Sequence, residues 1–312
     1  MVLRIGTRKS DLAQTQSTTV MEALKALGLD GKLVLIESTG DKDRKTPLYE
    51  SAGGSSAGLF TKELEEALLE DRIDLAVHSL KDLPTVCAKG LEVAAVTKRE
   101  NAADTLLINR NFHAPDKRLG LAEGATVGTS SLRREAQLLA VRPDLKIVPL
   151  RGNVPTRVKK AADNAVNATV LAQAGLNRLN LSLSTVAVFN LPPDDFVGAP
   201  GQGALALETR TGLPSAVKAI ISQLNDEKAF GETTLERKLL RELEGGCTLP
   251  LGVRAKWKAS GIYELRAFLG VVEPDAEPRK WKAFERFHGE GTPENLLVEA
   301  MKFFGGPKGQ RK

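Results

Sequence analysis

The chain has 312 residues, of which 42% are hydrophobic, 27% charged and 4% aromatic. This length predicts two or three domains, and the mixture excludes collagen-like, disulfide-dense and wholly disordered proteins. The 44 Lys and Arg residues exceed the 39 Asp and Glu residues, and the net charge of +5 suits either a nucleic acid or an acidic small molecule as partner.

The sequence also indicates the cellular compartment of the protein. No apolar run approaches the roughly 20 residues of a membrane helix, and residues 1–6 read as a strand rather than as a signal peptide. The two cysteines, Cys87 and Cys247, are too few for a disulfide framework or a four-thiolate metal site. We therefore expect a cytoplasmic protein without a membrane partner.

The first two thirds of the chain alternate strand and helix patterns. Strands are predicted at 2–5, 32–36, 73–78, 126–127, 146–150 and 168–172. Helices are predicted after residue 10, at 61–69, from about Leu132 and around Pro155. The first helix is expected to bury Leu12, Val20, Ala23, Leu24 and Leu27. Two such units in succession indicate a two-domain α/β clamp with mainly parallel sheets and a cleft between them.

The last third has a different pattern. A helix is predicted from about Glu232 to Leu243, followed by alternating segments around 265–272 and 283–287 and by a final helix opening at 292–294. This order indicates a small α+β third domain, and residues 305–312 read as a frayed polar tail.

The loop at 53–58 carries two glycines at the spacing of a phosphate-binding loop. Leu59 and Phe60 follow where Lys and Ser or Thr are required, so a nucleotide site is not expected. We interpret the loop as a mobile lid, with an inert surface loop as the alternative.

Six arginines come directly after predicted strands or at the starts of helices, where ligands bind in open α/β sheets. They are Arg8, Arg133, Arg134, Arg151, Arg157 and Arg178. Guanidinium groups pair bidentately with carboxylates and phosphates, so the pattern indicates a polyanionic ligand. The alternative is a set of solvated surface arginines. Nucleic acid is less favoured, because the basic residues lie in loops and aromatic residues are few.

The segment 78–84 places Lys81 beside Asp82 at the end of a predicted strand. Asp82 could stabilise a developing positive charge or transfer a proton; the alternative is a turn with a local ion pair. His78 fits a buried core position equally well. With three histidines, no metal-ligand spacing and no G-x-S-x-G motif, we expect no metal, and nothing favours a catalytic triad.

Cys247 lies in a glycine turn after a helix. A loop cysteine is reactive if it faces the cleft, whereas a lone cysteine is more often an inert small hydrophobe. The sequence pattern leaves both interpretations open, and we treat Cys87 as incidental.

Eight motifs follow one another along nearly the whole chain, at 3–10, 58–65, 74–85, 127–134, 150–154, 156–157, 201–205 and 243–250. In this order they resemble the porphobilinogen deaminase (hydroxymethylbilane synthase) family. The resemblance implies two periplasmic-binding-protein-like α/β domains and a small α+β domain. Domain 1 would comprise 1–98 and 202–221, domain 2 residues 103–200 and domain 3 residues 225–312.

The resemblance also implies a monomeric transferase of tetrapyrrole biosynthesis. It condenses four porphobilinogen molecules head-to-tail into hydroxymethylbilane and releases ammonia, with the chain grown on a dipyrromethane cofactor. A thioether joins that cofactor to a cysteine that matches Cys247, and Asp82 matches the catalytic aspartate. The positions that match carboxylate-binding residues are Arg8, Ser10, Lys81, Thr129, Ser131, Arg133, Arg134, Arg151, Arg157 and Arg178, and Gln202 borders the substrate site.

The chain departs from the family pattern at three places. Ala57 and Asn177 stand where lysine is common, and 101–103 lacks the usual proline, which predicts a looser hinge. Two rival functions stay open: a solute-binding clamp without a reactive cysteine, and a basic nucleic-acid-binding module.

Overall fold

The computed structural model describes residues 2–37, 61–243, 249–273 and 279–306. Thirteen strands are named in chain order, β1 (Leu3–Arg8), β2 (Gly31–Ile36), β3 (Leu75–Ser79), β4 (Leu91–Val96), β5 (Asp104–Asn109), β6 (Thr126–Gly128), β7 (Lys146–Val148), β8 (Ala168–Ala172), β9 (Val186–Asn190), β10 (Leu205–Arg210), β11 (Leu251–Ala259), β12 (Ile262–Val272) and β13 (Trp281–Gly291). The helices are α1 (Asp11–Ala26), α2 (Lys62–Leu69), α3 (Leu132–Val141), α4 (Val154–Ala162), α5 (Gln173–Leu179), α6 (Ser215–Ser222), α7 (Glu227–Glu242) and α8 (Pro293–Phe303). None of these described helices is long and apolar enough to cross a membrane.

Two five-stranded sheets share one plan. The first has the strand order β2-β1-β3-β10-β4 and the second β7-β6-β8-β5-β9. In each, the first three strands are parallel and the fourth runs antiparallel to both of its neighbours. The α/β class is confirmed, and the sheets are mixed because β10 and β5 each enter their sheet directly after the chain crosses between the two sheets.

The third sheet is antiparallel, with the order β11-β12-β13. The helices α7 and α8 cover one face and bury a core that includes Leu239, Val253, Leu265 and Leu296. On the other face, Phe268 packs with Ala136 of α3. The strand β11 was not predicted, and α7 begins five residues earlier than expected because Asp226 caps it by accepting a 2.8 Å hydrogen bond from Ala229 N.

The apolar face predicted for α1 is wrong at its end. The helix ends at Ala26, before a glycine with φ of +84°, and Leu27 lies beyond the helix with 37% of its surface exposed. Gln16 is buried on the helix instead, because its side-chain amide donates a 3.0 Å hydrogen bond to the Ser79 hydroxyl of β3.

The strand β3 lies in the middle of the first sheet, and residues 73–78 are all buried. His78 is a core residue: its Nε2 lies 3.0 Å from Glu208 Oε2 of β10, and both side chains are almost fully buried. The core interpretation of this histidine is therefore confirmed.

The two crossovers between the sheets meet at Glu236 of α7. Its carboxylate accepts hydrogen bonds from Arg99 at 2.7 and 3.0 Å, from Gly201 N at 2.7 Å and from Ala255 N at 2.9 Å. One buried side chain therefore connects both crossovers to the third sheet.

Several sequence predictions fall outside the described residues. They are the lid at 53–58 with Ala57, the motif residues 58–60, the glycine turn with Cys247 and the tail from residue 307.

Candidate functional site

A cleft of about 680 Å³ lies between the first two sheets, at the carboxyl ends of their strands. Among the described residues it is lined by nine basic side chains and two acidic ones. Of the predicted site residues, the cleft brings together Arg8, Ser10, Lys81, Asp82, Ser131, Arg133, Arg134, Arg151, Arg157, Arg178 and Gln202.

Two predicted site residues are not among these. Thr129 is buried, and its hydroxyl accepts a 3.2 Å hydrogen bond from Ser131 N, so it supports the loop instead of lining the cleft. Cys247 lies outside the described residues. Leu240 and Leu249, on either side of that segment, both line the cleft.

Three of the described helices that begin at the cleft have a side-chain cap. Ser10 accepts from Ala13 N at 3.3 Å in α1, and Asn153 accepts from Thr156 N at 2.9 Å in α4. Ser131 caps α3 in the same way, at 3.5 Å. Because a helix N-terminus carries partial positive charge, these three starts add to the positive potential of the basic side chains.

Arg133 and Arg134 are buried at the start of α3 and share one counter-ion. Asp104 of β5 lies 2.8 Å from Arg133 Nη1 and 2.7 Å from Arg134 Nη2. Its carboxylate also accepts a 3.0 Å hydrogen bond from Gln202 Nε2. The two guanidinium groups hold the pKa of Asp104 far below its usual range, although its burial alone would raise that pKa. Asp104 therefore fixes both arginines and Gln202 at the cleft wall.

Arg151, Arg157 and Arg178 also line the cleft. Burial, together with repulsion from Arg134 and Arg151, lowers the pKa of Arg157 to about 10. Burial likewise lowers the pKa of Arg178, whose Nη2 donates to Gly203 O at 2.6 Å. A carboxylate bound beside Arg157 would relieve its repulsion by Arg134 and Arg151, so an anionic ligand is favoured here.

Lys81 and Asp82 lie in a 3₁₀ turn, Leu80–Asp82, that directly follows β3. Burial lowers the pKa of Lys81, and Arg133 and Arg134 add to this, while Asp82 and Asp104 oppose it. The Asp82 carboxylate lines the cleft and makes no ion pair with any described residue. It is therefore available to a bound molecule.

Sequence reasoning missed Asp104 and Lys160. Asp104 could have been identified from its position, because it is a lone acidic residue at the start of the apolar segment 104–108. Lys160 lines the cleft and donates to Arg151 O at 3.2 Å. It follows Arg157 by three residues on α4, a spacing that puts two side chains on one helix face.

Asn177, one of the departures from the family pattern, lies beside the first crossover. Its amide donates a 3.0 Å hydrogen bond to Glu100 Oε1, which also accepts from Asn101 N at 2.7 Å. No group of three or more His, Cys, Asp or Glu side chains that could hold a metal occurs in the described part of the chain.

Two family models match the chain. Residues 3–218 match "Porphobilinogen deaminase, dipyromethane cofactor binding domain", and residues 230–287 match "Porphobilinogen deaminase, C-terminal domain".

Curated relatives cover most of the chain. A porphobilinogen deaminase of Nitratiruptor is 42% identical over 97% of this chain and 95% of its own length. One of Campylobacter concisus is 42% identical over 87% of this chain and 85% of its own length. Among solved structures, the methionine binding protein MetQ is 14% identical, with a TM-score of 0.42 over 76% of this chain and 93% of its own. Since the family models together span most of the sequence and the relatives exceed 40% identity, this chain belongs to the porphobilinogen deaminase family.

Proposed function

We propose that the chain is a hydroxymethylbilane synthase, a transferase of tetrapyrrole biosynthesis. It deaminates porphobilinogen and condenses four molecules head-to-tail into hydroxymethylbilane, releasing ammonia. The observation that carries this assignment is the cleft itself, which is lined by nine basic side chains and by the Asp82 carboxylate, and Asp82 makes no ion pair with any described residue. Each porphobilinogen carries an acetate and a propionate group, so such a cleft matches the substrate in charge.

The residues present fit the dipyrromethane cofactor. Gln202 Oε1 is buried and has no hydrogen-bond partner among the described residues, so it can accept from a pyrrole N–H. Arg133, Arg134 and Ser131 lie close by and can donate to the carboxylates of the group. When bound, dipyrromethane supplies the primer for chain growth. We assign its attachment to Cys247, and the cleft-lining residues on both sides of that segment support this assignment.

Asp82 is the catalytic group in this proposal. Loss of ammonia leaves positive charge on the pyrrole ring of the substrate, and a carboxylate beside that ring lowers the free energy of the charged state. The same carboxylate then accepts the proton that is lost when the new carbon–carbon bond forms. Lys81, Arg8 and Ser10 hold the substrate carboxylates so that the ring faces Asp82.

The protein acts in the cytoplasm as a monomer in this proposal, with neither a membrane nor a nucleic-acid partner. The cleft supports a small polyanion over nucleic acid, since its basic side chains surround a cleft instead of lining an open face.

Turnover of porphobilinogen by wild type and Asp82→Asn tests the proposed function and the catalytic role. We expect wild type to form hydroxymethylbilane and the variant to lose roughly 10²–10⁴-fold in kcat, the usual contribution of a general acid–base group. Near-normal turnover in the variant would contradict the role of Asp82, and an inactive wild type would contradict the function.

The attachment site is tested by the intact mass of Cys247→Ser, with Cys87→Ser as the matched control. Wild type and the control should both carry the added mass of two deaminated porphobilinogen units, and Cys247→Ser should lack it. A wild type that stays unmodified after incubation with porphobilinogen would favour a solute-binding clamp.

A further inference from the structure

Arg237 of α7 reaches across to the turn that carries Lys81 and Asp82. Its Nη1 donates to Leu80 O at 3.1 Å and to Leu83 O at 2.8 Å, and its Nη2 donates to Pro84 O at 2.6 Å. One side chain of the last third of the chain therefore holds three carbonyl groups at the end of the turn.

The turn itself supplies little hydrogen bonding to these carbonyls. The 3₁₀ turn spans only Leu80–Asp82, and Pro84, which has no N–H, prevents the chain from continuing as a helix. The turn's own closing bond, from Leu83 N to Leu80 O, is long at 3.3 Å. Leu80 N also donates to Ala204 O at 3.0 Å, and the guanidinium group adds three hydrogen bonds that hold the turn against α7. A lysine ammonium has neither the planar fork nor the width to reach all three oxygens.

The helix α7 that carries Arg237 is itself held firmly. The neighbouring Glu236 binds both crossovers, while Leu235 and Leu239 are buried in the third core. The same helix ends at Glu242, shortly before Cys247. Arg237 thus connects the helix that leads to the proposed attachment residue with the turn that carries the proposed catalytic carboxylate.

We propose that Arg237 is a positioning residue for Asp82, which sets the place of this carboxylate relative to α7 through the carbonyls of residues 80, 83 and 84. This inference rests on the proposed function. A displacement of about 1 Å in a reacting group costs on the order of 10²-fold in rate, so loss of the three hydrogen bonds should lower kcat. KM should change less than kcat, because Lys81 is the one proposed carboxylate-binding residue in this turn and the others lie elsewhere in the cleft.

The experiment compares Arg237→Gln and Arg237→Lys with Arg241→Gln in full-length, cofactor-loaded enzyme. Arg241 is the matched control: it lies one turn further along α7, is exposed and pairs with its neighbour Glu242 at 3.3 Å. For Arg237→Gln we expect kcat per loaded enzyme to fall on the order of 10²-fold, with KM changed less than about threefold. Arg237→Lys keeps the charge and should also lose kcat, whereas Arg241→Gln should match wild type.

Loading is measured by intact mass and folding by thermal unfolding, so that a loss of folded or loaded protein is not counted as a loss of kcat. If Arg237→Gln or Arg237→Lys has wild-type kcat per loaded molecule, the inference is wrong. It is equally wrong if KM rises as much as kcat falls, since Arg237 would then act on binding. A wild type that does not convert porphobilinogen would overturn the proposed function together with this inference, whereas an active wild type with an equally active Arg237→Gln overturns the inference alone.

Discussion

Repulsion between the basic side chains of the free cleft is the main feature at the scale of single residues. Burial and neighbouring cations lower the pKa values of Lys81 and Arg157, while Asp104 pairs with Arg133 and Arg134 and only partly opposes the shift of Lys81. Part of the affinity for a polycarboxylate therefore comes from relief of this repulsion, because each bound carboxylate stabilises the protonated lysine and arginine side chains of the cleft.

Lys81 gives a prediction for pH dependence. The amine binds a substrate carboxylate only when protonated, so kcat/KM should fall as pH rises through the pKa of Lys81. Because burial lowers that pKa, the fall should begin below the pH at which an ordinary lysine loses its proton. In Lys81→Arg the charge persists, and the alkaline limb should move to higher pH. The pH profile of kcat/KM for the two enzymes is the measurement.

Both enzymes are measured on the same substrate, so the titration of porphobilinogen itself affects both pH profiles equally and cancels in the comparison. Identical alkaline limbs in wild type and Lys81→Arg would show that Lys81 does not titrate in the free enzyme over this range.

At the scale of elements, the N-terminal caps serve both folding and binding. Ser10, Ser131 and Asn153 each satisfy a backbone N–H of their helix and each line the cleft. A helix cap needs an oxygen atom that accepts a hydrogen bond. In a cleft that binds anions, a negatively charged acceptor would repel the ligand. Neutral Ser and Asn caps satisfy both requirements, and Asp satisfies only the first.

Asn153 tests this argument. Asn153→Asp should keep the stability of the fold, since Asp and Asn cap equally well. The added charge should raise KM about fivefold, which corresponds to the roughly 1 kcal/mol between two unit charges about 4 Å apart in water. Asn153→Ser is the matched control and should keep both stability and KM. The measurements are steady-state kinetics and urea unfolding, and an unchanged KM in Asn153→Asp would contradict the argument.

At the scale of the whole molecule, Glu236 holds the three sheets together. It binds Arg99 of the first crossover, Gly201 of the second and Ala255 of the third sheet. The strand β10 returns to the first sheet directly after the second crossover. We therefore propose domain boundaries at the two crossovers, with 202–221 assigned to domain 1.

Glu236→Gln should destabilise the protein strongly. Removal of one partner from a buried ion pair costs about 3–5 kcal/mol, and here Arg99 would stay buried with only the more distant Glu232 as counter-ion among the described residues. Glu232 also contacts Arg99, at 3.3 Å, but is partly exposed; Glu232→Gln should cost only about 1 kcal/mol. The free energy of unfolding in urea for both variants is the measurement, and equal losses would contradict the central place of Glu236.

Much of the fold and the site follows from local patterns. Strands and helices were recognisable because apolar spacing and caps act over a few residues, as at Leu132 and Pro155. The six arginines could be assigned to one site because strand ends in an α/β sheet share an edge. The motifs around Asp82 and Cys247 indicated the family before any geometry was known.

Only the tertiary structure decided the contacts between distant parts of the chain. Pairing of β10 with β3 and the hydrogen bonds of Arg237 to the Asp82 turn join residues more than a hundred positions apart, and no local pattern encodes them. Arg133 and Arg134 likewise share Asp104 because all three side chains are buried together. The sequence shows Asp104 only as an isolated acidic residue. Local propensity therefore determined the elements and the chemistry of the site. Long-range packing, which alone sets burial and relative position, determined how those groups act together.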